Sequence, residues 1–392
     1  MKKRLLELST MIFAVAFVLA IFLFDWNSIN SYQKFNNSSL HYVKGRVVQV
    51  TSEDVEQDSA DPNLYLGTQE IVVELLEGNQ EGEQISFTNN LSKVHNIRVT
   101  NNQRVIVCAD TPENAEPYYT LFNYDRSVSI GMLIALFALA VIVVGGRKGF
   151  KALLGVAFSL LTVVMFLAQA IYHGFDPVVI ALLTVLIITG VSLLLLNGFS
   201  RRTAVGLLST LTGVIVTGFI FSIFAYTLHL SGYNSETAEE LFLVSYSTGL
   251  SIRPLLLVGV LISAVGAVMD VAVSLAAALE ELVTVHPTIS RSTLLKSGLN
   301  IGKDMIGTMS NTLILAFAGT ELTTMISLMA YGYQFQQLLS SDYIAIELTQ
   351  GLCATIGVVL TVPIATVISA LLFIHSSNEK KGKQENDEKE IH

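Results

Sequence analysis

The fold of this chain is decided by the sequence GVLISAVGAVMDVAVSLAAALEEL at Gly259–Leu282 and the sequence DMIGTMSNTLILAFAG at Asp304–Gly319. They lie in two apolar runs, 254–284 and 305–330, each long enough to cross a bilayer as a helix of about 20 residues. Small and polar residues recur in both runs at steps of three or four, so they share one helical face in each. In the first run these are Ser263, Gly266, Asp270, Ser274, Ala277 and Glu281, and in the second Asp304, Gly307, Thr308 and Asn311. An ionised Asp at the centre of a membrane helix costs about 2.5–3.5 kcal/mol, so Asp270 is expected to face protein or water. The pattern predicts a polar seam between the two helices, inside a membrane bundle.

Composition supports a membrane protein. The chain has 392 residues, of which 52% are hydrophobic and 14% are charged, and its mean hydropathy is +0.57. These values exclude a soluble globular protein and fit a polytopic membrane protein. The acidic excess lies in 25–126, with 15 acidic and 7 basic residues. Such a segment argues against binding to nucleic acid or to anionic lipid.

The N-terminal quarter predicts a membrane anchor followed by a β domain. Basic residues precede an apolar run at 8–24 without a cleavage site after it, so 1–26 is predicted to be an uncleaved signal-anchor helix. Residues 27–126 contain five period-two segments separated by turn signals. These predicted strands are His41–Val50, Thr68–Leu76, Glu83–Thr88, Arg104–Ala109 and Tyr118–Tyr124. They predict a small β-barrel of the OB or SH3 kind, with an open five-stranded sheet as the alternative.

Seven further spans are predicted in a membrane domain over 127–375. They lie at 128–146, 151–172, 178–197, 203–229, 254–284, 305–330 and 349–374. With eight spans, 15 of the 23 basic residues fall in inner segments, which predicts cytoplasmic termini and an outer β domain. The chain is therefore expected to be mainly α, with the β domain inserted between helices one and two. Residues 231–253 are interpreted as a re-entrant piece or as a loop helix, and the tail 376–392 is predicted to be disordered.

Seven residues on the polar seam are candidates for binding a solute or ion. They are Asp270, Ser274, Glu281, Asn300, Asp304, Thr308 and Asn311. Asp270 is either a proton or cation relay or a hydrogen-bonding residue that holds neighbouring helices together. Asn300 and Asp304 are expected to cap the start of span seven, either as an ordinary cap or as part of an anion site.

Four glycines and one glutamate near the seam carry structural expectations. Gly266 and Gly307 are expected at close helix contacts. Gly298 and Gly302 allow either a tight turn or a close contact. Glu321 is expected to be solvated at the outer end of span seven.

Enzyme signatures are missing from the sequence. It contains no H-E-x-x-H, G-x-S-x-G or phosphate-binding loop motif. The seven histidines and two cysteines are scattered, without metal-ligand spacing. We therefore expect no catalytic activity, no cofactor and no metal site.

Several motifs in the sequence resemble the bacterial YibE/F-like membrane proteins. These motifs are Asp125-Arg126, Gly145-Gly146-Arg147-Lys148-Gly149, Gly266 to Ser274, Ser297 to Met309, Asn311-Thr312-Leu313 and Val362-Pro363. The resemblance covers about 40–370 and implies a multipass protein of the cytoplasmic membrane with an outer β domain. Lys303 and Phe317 stand where the family commonly has Arg and Tyr. The resemblance implies no substrate.

Two functions are compatible with these observations. The first is a permease that moves a small solute or ion along the polar seam, coupled to protons through Asp270. The second is a membrane scaffold whose outer β domain binds other envelope proteins. An intramembrane hydrolase is a weaker third, because Asp270 has no matching second motif. The expected partners are the lipid bilayer, a small solute or ion, and other copies or other membrane proteins.

Overall fold

The computed structural model describes residues 12, 14–21, 23–24, 39–78, 80–112, 116–232, 241, 245 and 251–390, with the backbone alone after Ile374. The chain divides into two compact units. One is Lys34–Ala140, and the other combines Val141–His392 with the N-terminal residues. The first unit contains the sheet and the start of a long helix, and the second is helical.

The sheet is a five-stranded antiparallel half-barrel with the strand order β3-β2-β1-β4-β5. Its strands are β1 (Leu40–Gln57), β2 (Tyr65–Leu75), β3 (Gln84–Leu91), β4 (Arg104–Asp110) and β5 (Tyr118–Tyr124). Alternate residues of its strands point to one face of the sheet, and on β2 these are Ile71, Val73 and Leu75, which are buried in a shared core. The five predicted strands are confirmed, although β1 continues past Val50. The edge strands β3 and β5 contact each other, so the architecture lies between the predicted barrel and the open sheet.

A buried amide holds an irregular segment against this sheet. The Gln69 side chain donates to the Val99 carbonyl and accepts from the Val99 amide, both at 3.0 Å. Asn89 donates to Gln69 Oε1 at 3.1 Å and to the Ile97 carbonyl at 2.8 Å. Gln69 and Asn89 are 1% and 2% exposed, so these bonds satisfy groups that water does not reach.

The helical part follows from Ser127 onward. Its helices are α1 (Ser127–Leu161), α2 (Ala168–Tyr172), α3 (Pro177–Asn197), α4 (Arg201–Thr227), α5 (Arg253–Val285), α6 (Arg291–Thr320), α7 (Leu322–Ala330), α8 (Phe335–Leu339) and α9 (Asp342–Glu390), with a π-helical turn at Thr162–Leu167 between α1 and α2. Asp176 caps α3 by accepting from the Val178 and Val179 amides. Ser200 caps α4 by accepting from the Thr203 amide.

Five helical segments of the described chain are long and apolar enough to cross a membrane, or six if the bent pair α6 and α7 counts as one span. The predicted spans 128–146 and 151–172 fall in one segment, Ser127–Tyr172, interrupted at Gly146. Gly146 has a φ of 54° and a ψ of −132°, which a glycine adopts at no steric cost. Of the first predicted span only part is described, and residues 14–21 are helical. The described residues therefore give fewer spans than the eight predicted.

Helix α5 occupies the centre of the helical unit and packs against α3, α4, α6 and α9. Its buried face is made of small and aliphatic side chains. These include Ala264, Val268, Ala272, Leu275 and Leu279. Their recurrence at three and four positions is the amphipathic pattern that selects a helix and its buried face.

Glycines allow α9 to approach two other helices closely. A Cβ built on Gly302 of α6 would overlap Val362, and one on Gly298 would lie 2.6 Å from Thr366. On α4, a Cβ built on Gly213 would overlap Thr361. Of the two alternatives predicted for Gly298 and Gly302, a tight turn or a close helix contact, the structure shows the close helix contact.

The connector before span seven differs from the prediction. It is helical, because α6 begins at Arg291 and Ser290 caps it by accepting from the Thr293 amide at 3.1 Å. The prediction that Asn300 and Asp304 cap this helix is therefore wrong. The neighbouring Gly298 and Gly302 pack against α9 and do not form a turn.

The end of the chain also differs from expectation. The sequence predicts a disordered tail over 376–392, but the backbone of α9 remains helical as far as Glu390. The Glu and Lys residues in this segment have high helix propensity. The re-entrant or loop-helix alternatives for 231–253 lie almost entirely outside the described residues.

Candidate functional site

The polar stripe of α5, formed by Ser263, Gly266, Asp270, Ser274 and Glu281, lies on an exposed face of the helix. A Cβ built on Gly266 would meet no atom within 4 Å. The aliphatic face of α5 fills the bundle instead. The sequence correctly groups these residues on one face, but it predicts that face inside the bundle, whereas it is open.

Asp270 lies close to the midpoint of α5, 17 residues after Arg253 and 15 before Val285. It is exposed, and the structure gives it no hydrogen bond or ion pair within the described chain. Ser263, two turns away, donates to the Val260 carbonyl of its own helix at 3.1 Å. The Asp270 carboxylate is thus available to a solute, to water or to another protein.

The candidates on α6 also lie on an exposed face. Asn300, Asp304, Thr308 and Asn311 are all exposed. Thr308 Oγ1 donates to the Met305 carbonyl at 3.1 Å, which is a bond within its own helix. Gly307 has no atom within 4 Å of a built Cβ, so the predicted close contacts at Gly266 and Gly307 are both wrong.

The two exposed faces carry polar residues at matching distances from the turn that joins α5 to α6. Asp270 lies 15 residues before the end of α5, and Ile306 lies 15 residues after the start of α6. Both positions are about 22 Å from the helix ends, at 1.5 Å per residue. Thr308 and Asn311 follow Ile306 by less than two turns, so polar groups from both helices share one band of depth.

No hydrogen bond between side chains and no ion pair joins any two of the seven candidates in the part of the chain that the structure describes. Nor do the described residues contain a group of three or more His, Cys, Asp and Glu that could hold a metal ion. The arrangement offers one acidic group, several hydroxyl and amide groups, and open glycine positions. It can exchange a proton or bind a small polar species at an open surface.

Sequence reasoning missed one carboxylate. Glu347 of α9 and Glu321, the residue that follows α6, line the same cavity at the C-terminal end of α6. A carboxylate within an apolar run, here Ile344 to Leu352, is the signal that could have identified it.

The unit that contains the sheet carries a separate electrostatic cluster. The Arg98 guanidinium donates to both carboxylate oxygens of Glu53, at 2.6 and 3.2 Å, and lies 4.3 Å from the centre of the Tyr65 ring. The hydrogen bond from Arg98 lowers the pKa of Glu53 below its usual value. Lys93 lies 2.7 Å from Asp58 and likewise lowers the pKa of that carboxyl. These pairs stabilise the ionised carboxylates of a solvated domain.

Comparison with known families assigns both parts of the chain. The model of the YibE/F-like protein family matches residues 133–375. The model of the YibE/F family N-terminal domain matches residues 38–121. The chain belongs to the YibE/F-like family. Comparisons of this YibE/F-like chain with the curated proteins and with the solved structures find no match.

Proposed function

We propose that this YibE/F-like protein is a multipass membrane permease that moves a small solute or ion along the polar faces of α5 and α6. The exposure of Asp270 carries the proposal. It lies at the middle of a 33-residue helix whose mean hydropathy reaches 2.4. Placing an ionised carboxylate against lipid at this depth would cost about 2.5–3.5 kcal/mol of free energy. Contact with water or with a polar solute avoids that cost.

Two further observations support a path along these faces. The open glycine positions Gly266 and Gly307 leave room beside the polar groups. Asp304, Thr308 and Asn311 bring oxygen and nitrogen atoms to the depth of Asp270. In this proposal Asp270 carries the proton that couples transport, and the other groups contact the solute.

The proposal places the protein in the bacterial cell membrane, with both termini in the cytoplasm and the β domain outside. Single cysteines at Ser59, Ser200 and Ser377 test it, after Cys108 and Cys353 are replaced by Ser. An impermeant maleimide on intact cells should label only the cysteine at position 59. Labelling at position 200 or 377 would contradict this orientation.

Proteoliposomes that contain a pH-sensitive dye test proton coupling through Asp270. Small ions and polar solutes are added one at a time outside, and the internal pH is recorded. At least one should change the internal pH with the wild type, and Asp270→Asn should abolish that change while leaving the protein folded. Glu280→Gln, which removes a carboxylate from the same helix away from the stripe, should retain it. An Asp270→Asn variant with wild-type flux would refute the proton relay.

A membrane scaffold is the second candidate, and the same open face favours it. Gly259 and Gly266 have no atom within 4 Å of a built Cβ, so another helix could approach the stripe closely. Cysteines at Ser263 and Ser274 distinguish the two functions. Efficient cross-linking to a neighbouring protein, with no solute flux, would favour the scaffold over the permease.

A further inference from the structure

The β domain contains a cavity beside the first residues of β1. Its volume is about 910 Å³, and ligand sites usually measure about 300–1,000 Å³. Val43, Leu75 and Ala109 are apolar residues of its lining, and Glu77 and Gln80 of the β2–β3 hairpin add polar groups. A mixed lining of this kind suits a ligand that carries both an apolar group and hydrogen-bonding groups.

One edge of β1 is unpaired at this cavity. Strand β4 pairs with β1 from Leu40 onward, whereas β2 pairs with it only from Gly45 onward. The main-chain groups of Lys44 point to the β2 side, because its carbonyl accepts from the Leu76 amide at 2.8 Å. Main-chain groups alternate between the two sides of a strand, so those of Tyr42 also point to the β2 side, beyond the end of β2. Within the described chain, the Tyr42 amide and carbonyl have no hydrogen-bond partner.

Two side chains of the β2–β3 hairpin show what this edge and cavity offer to a ligand. The Glu77 carboxylate accepts from the Lys44 amide at 3.0 Å and so takes the position of a neighbouring strand's carbonyl. The Gln80 Oε1 atom accepts from the Tyr119 hydroxyl at 2.9 Å, which fixes the orientation of the amide. In the described part of the chain no group accepts from Gln80 Nε2, so this atom can donate to a carbonyl of a ligand.

We propose that an extended segment of a partner protein adds to the free edge of β1 as a short strand. Its main chain bonds to the amide and carbonyl of Tyr42, next to the end of β2. One apolar side chain of the segment enters the cavity beyond Leu75, which is the last residue of the inward row of β2. In strand addition of this kind, main-chain hydrogen bonds give affinity and a pocket for alternate side chains gives specificity.

The charge of the β domain indicates the chemistry of the partner segment. Residues 25–126 include 15 acidic and 7 basic residues, and the described lining of the cavity contains Glu77 but no Lys or Arg. A segment with Lys or Arg beside its apolar residues is therefore attracted to this edge. The inference does not rest on transport, because the sheet belongs to a different compact unit from the polar faces of α5 and α6.

Peptide binding to the purified, detergent-solubilised full chain tests the inference. The probes are fluorescent, end-capped hexapeptides in which Lys alternates with Val, Leu or Phe, and anisotropy measures the affinity. At least one should bind the wild type saturably, and Tyr42→Pro should weaken that binding at least tenfold by removing the amide donor. Proline is tolerated where a strand's N–H has no partner, so this variant should fold. Tyr42→Ala removes the ring that lies 4.8 Å from the Phe122 ring but keeps the amide, and it should bind as the wild type does.

Hydrogen exchange separates strand addition from a loss of fold. Exchange in the segment 40–44 should slow when the peptide binds the wild type, and exchange in β2 and β3 without peptide should be the same in Tyr42→Pro and the wild type. Gln80→Ala leaves the strand pairing intact and should weaken binding several-fold. Peptides with Glu in place of Lys should bind at least tenfold more weakly than the Lys peptides.

Three results would overturn the inference. The first is that no peptide binds the wild type, and the second is that folded Tyr42→Pro binds with wild-type affinity. If Tyr42→Pro does not fold, wild-type affinity in Gln80→Ala decides in the same way. The third is self-association of the wild type that Tyr42→Pro abolishes, since the occupant of the edge would then be a second copy of this chain.

Discussion

Gly357 of α9 lies directly against Thr217 of α4, so that a Cβ built on the glycine would overlap the threonine Oγ1 atom. One turn away the roles are exchanged, because Gly213 of α4 lies against Thr361 of α9. Each threonine donates its hydroxyl to the glycine of its own helix, Thr217 to Gly213 at 2.9 Å and Thr361 to Gly357 at 2.7 Å. Two reciprocal Gly–Thr pairs therefore set the closest approach of α4 and α9.

Enlarging Gly357 should weaken this helix pair. Gly357→Ala is expected to lower the stability by about 1–3 kcal/mol, because the added methyl overlaps Thr217. Thr217→Ala in the same chain should restore part of the loss by removing Oγ1. Thermal unfolding in detergent measures both effects. The control is Gly190→Ala of α3, where a Cβ meets no atom within 4 Å. Equal stability of the two glycine variants would contradict the interlock.

Two glycines of α6 should respond in opposite directions. Gly302→Ala collides with Val362 and is expected to lower the unfolding temperature and the yield of folded protein. Gly307→Ala enters open space and should stabilise the helix by about 0.5–1 kcal/mol. Unfolding temperatures of the two variants in the same detergent provide the comparison. Destabilisation by Gly307→Ala would show that another protein or segment covers this face.

The buried amide of Gln69 gives a prediction for the β domain. Gln69→Leu leaves the Val99 amide without its acceptor and should destabilise the domain by about 1–3 kcal/mol. Hydrogen exchange of the peptide that spans 95–103 should accelerate. Gln49→Leu, at an exposed position on β1, should leave exchange in that peptide unchanged. Unchanged exchange in Gln69→Leu would show that the segment is held by other contacts.

The Glu53–Arg98 pair predicts a loss of stability in acid. The pKa of Glu53 is lowered in the folded domain, so its contribution is present above the unfolded value of about 4.3. It is lost as the pH falls through the lower folded value. Hydrogen exchange of 95–103, corrected for intrinsic rates, should therefore accelerate from pH 6 to pH 3.5. This acceleration should be weaker in Glu53→Gln than in the wild type. In Glu56→Gln, which removes an exposed carboxylate of the same strand, it should be as large as in the wild type.

Much of the β domain could be predicted from the sequence. Alternating residues such as Ile71, Val73 and Leu75 carry the burial pattern of β2 in the primary sequence. The buried role of Gln69 could not be predicted, because its partner Val99 lies 30 residues away in a segment without regular structure. The closeness of β3 and β5 likewise depends on the curvature of the whole sheet.

The connector before α6 illustrates a different limit. Gly298, Asn300 and Gly302 are residues typical of a turn or cap, and residue preference alone does not decide between a turn and a close helix contact for the two glycines. Packing against Val362 and Thr366 of α9 makes the same glycines favourable within a helix. Local residue preference thus leaves the alternatives open, and the tertiary contact determines the structure.

The polar stripe shows what helical periodicity can and cannot specify. Steps of three and four place Ser263, Asp270 and Ser274 on one face, as the structure confirms. The same steps do not say whether another element covers that face. That depends on which faces of α5 are occupied by α3, α4, α6 and α9.

The threonines packed among α3, α4 and α9 have one further consequence. The hydroxyls of Thr184, Thr210, Thr217, Thr361 and Thr366 each donate to the carbonyl four residues earlier in their own helix. Each of these five hydroxyl protons is thus used within its own helix and not between helices. By composition this region resembles a hydrophilic conduit, but these five hydroxyls satisfy their own backbone, and small residues such as Gly213 and Gly357 bring the helices together.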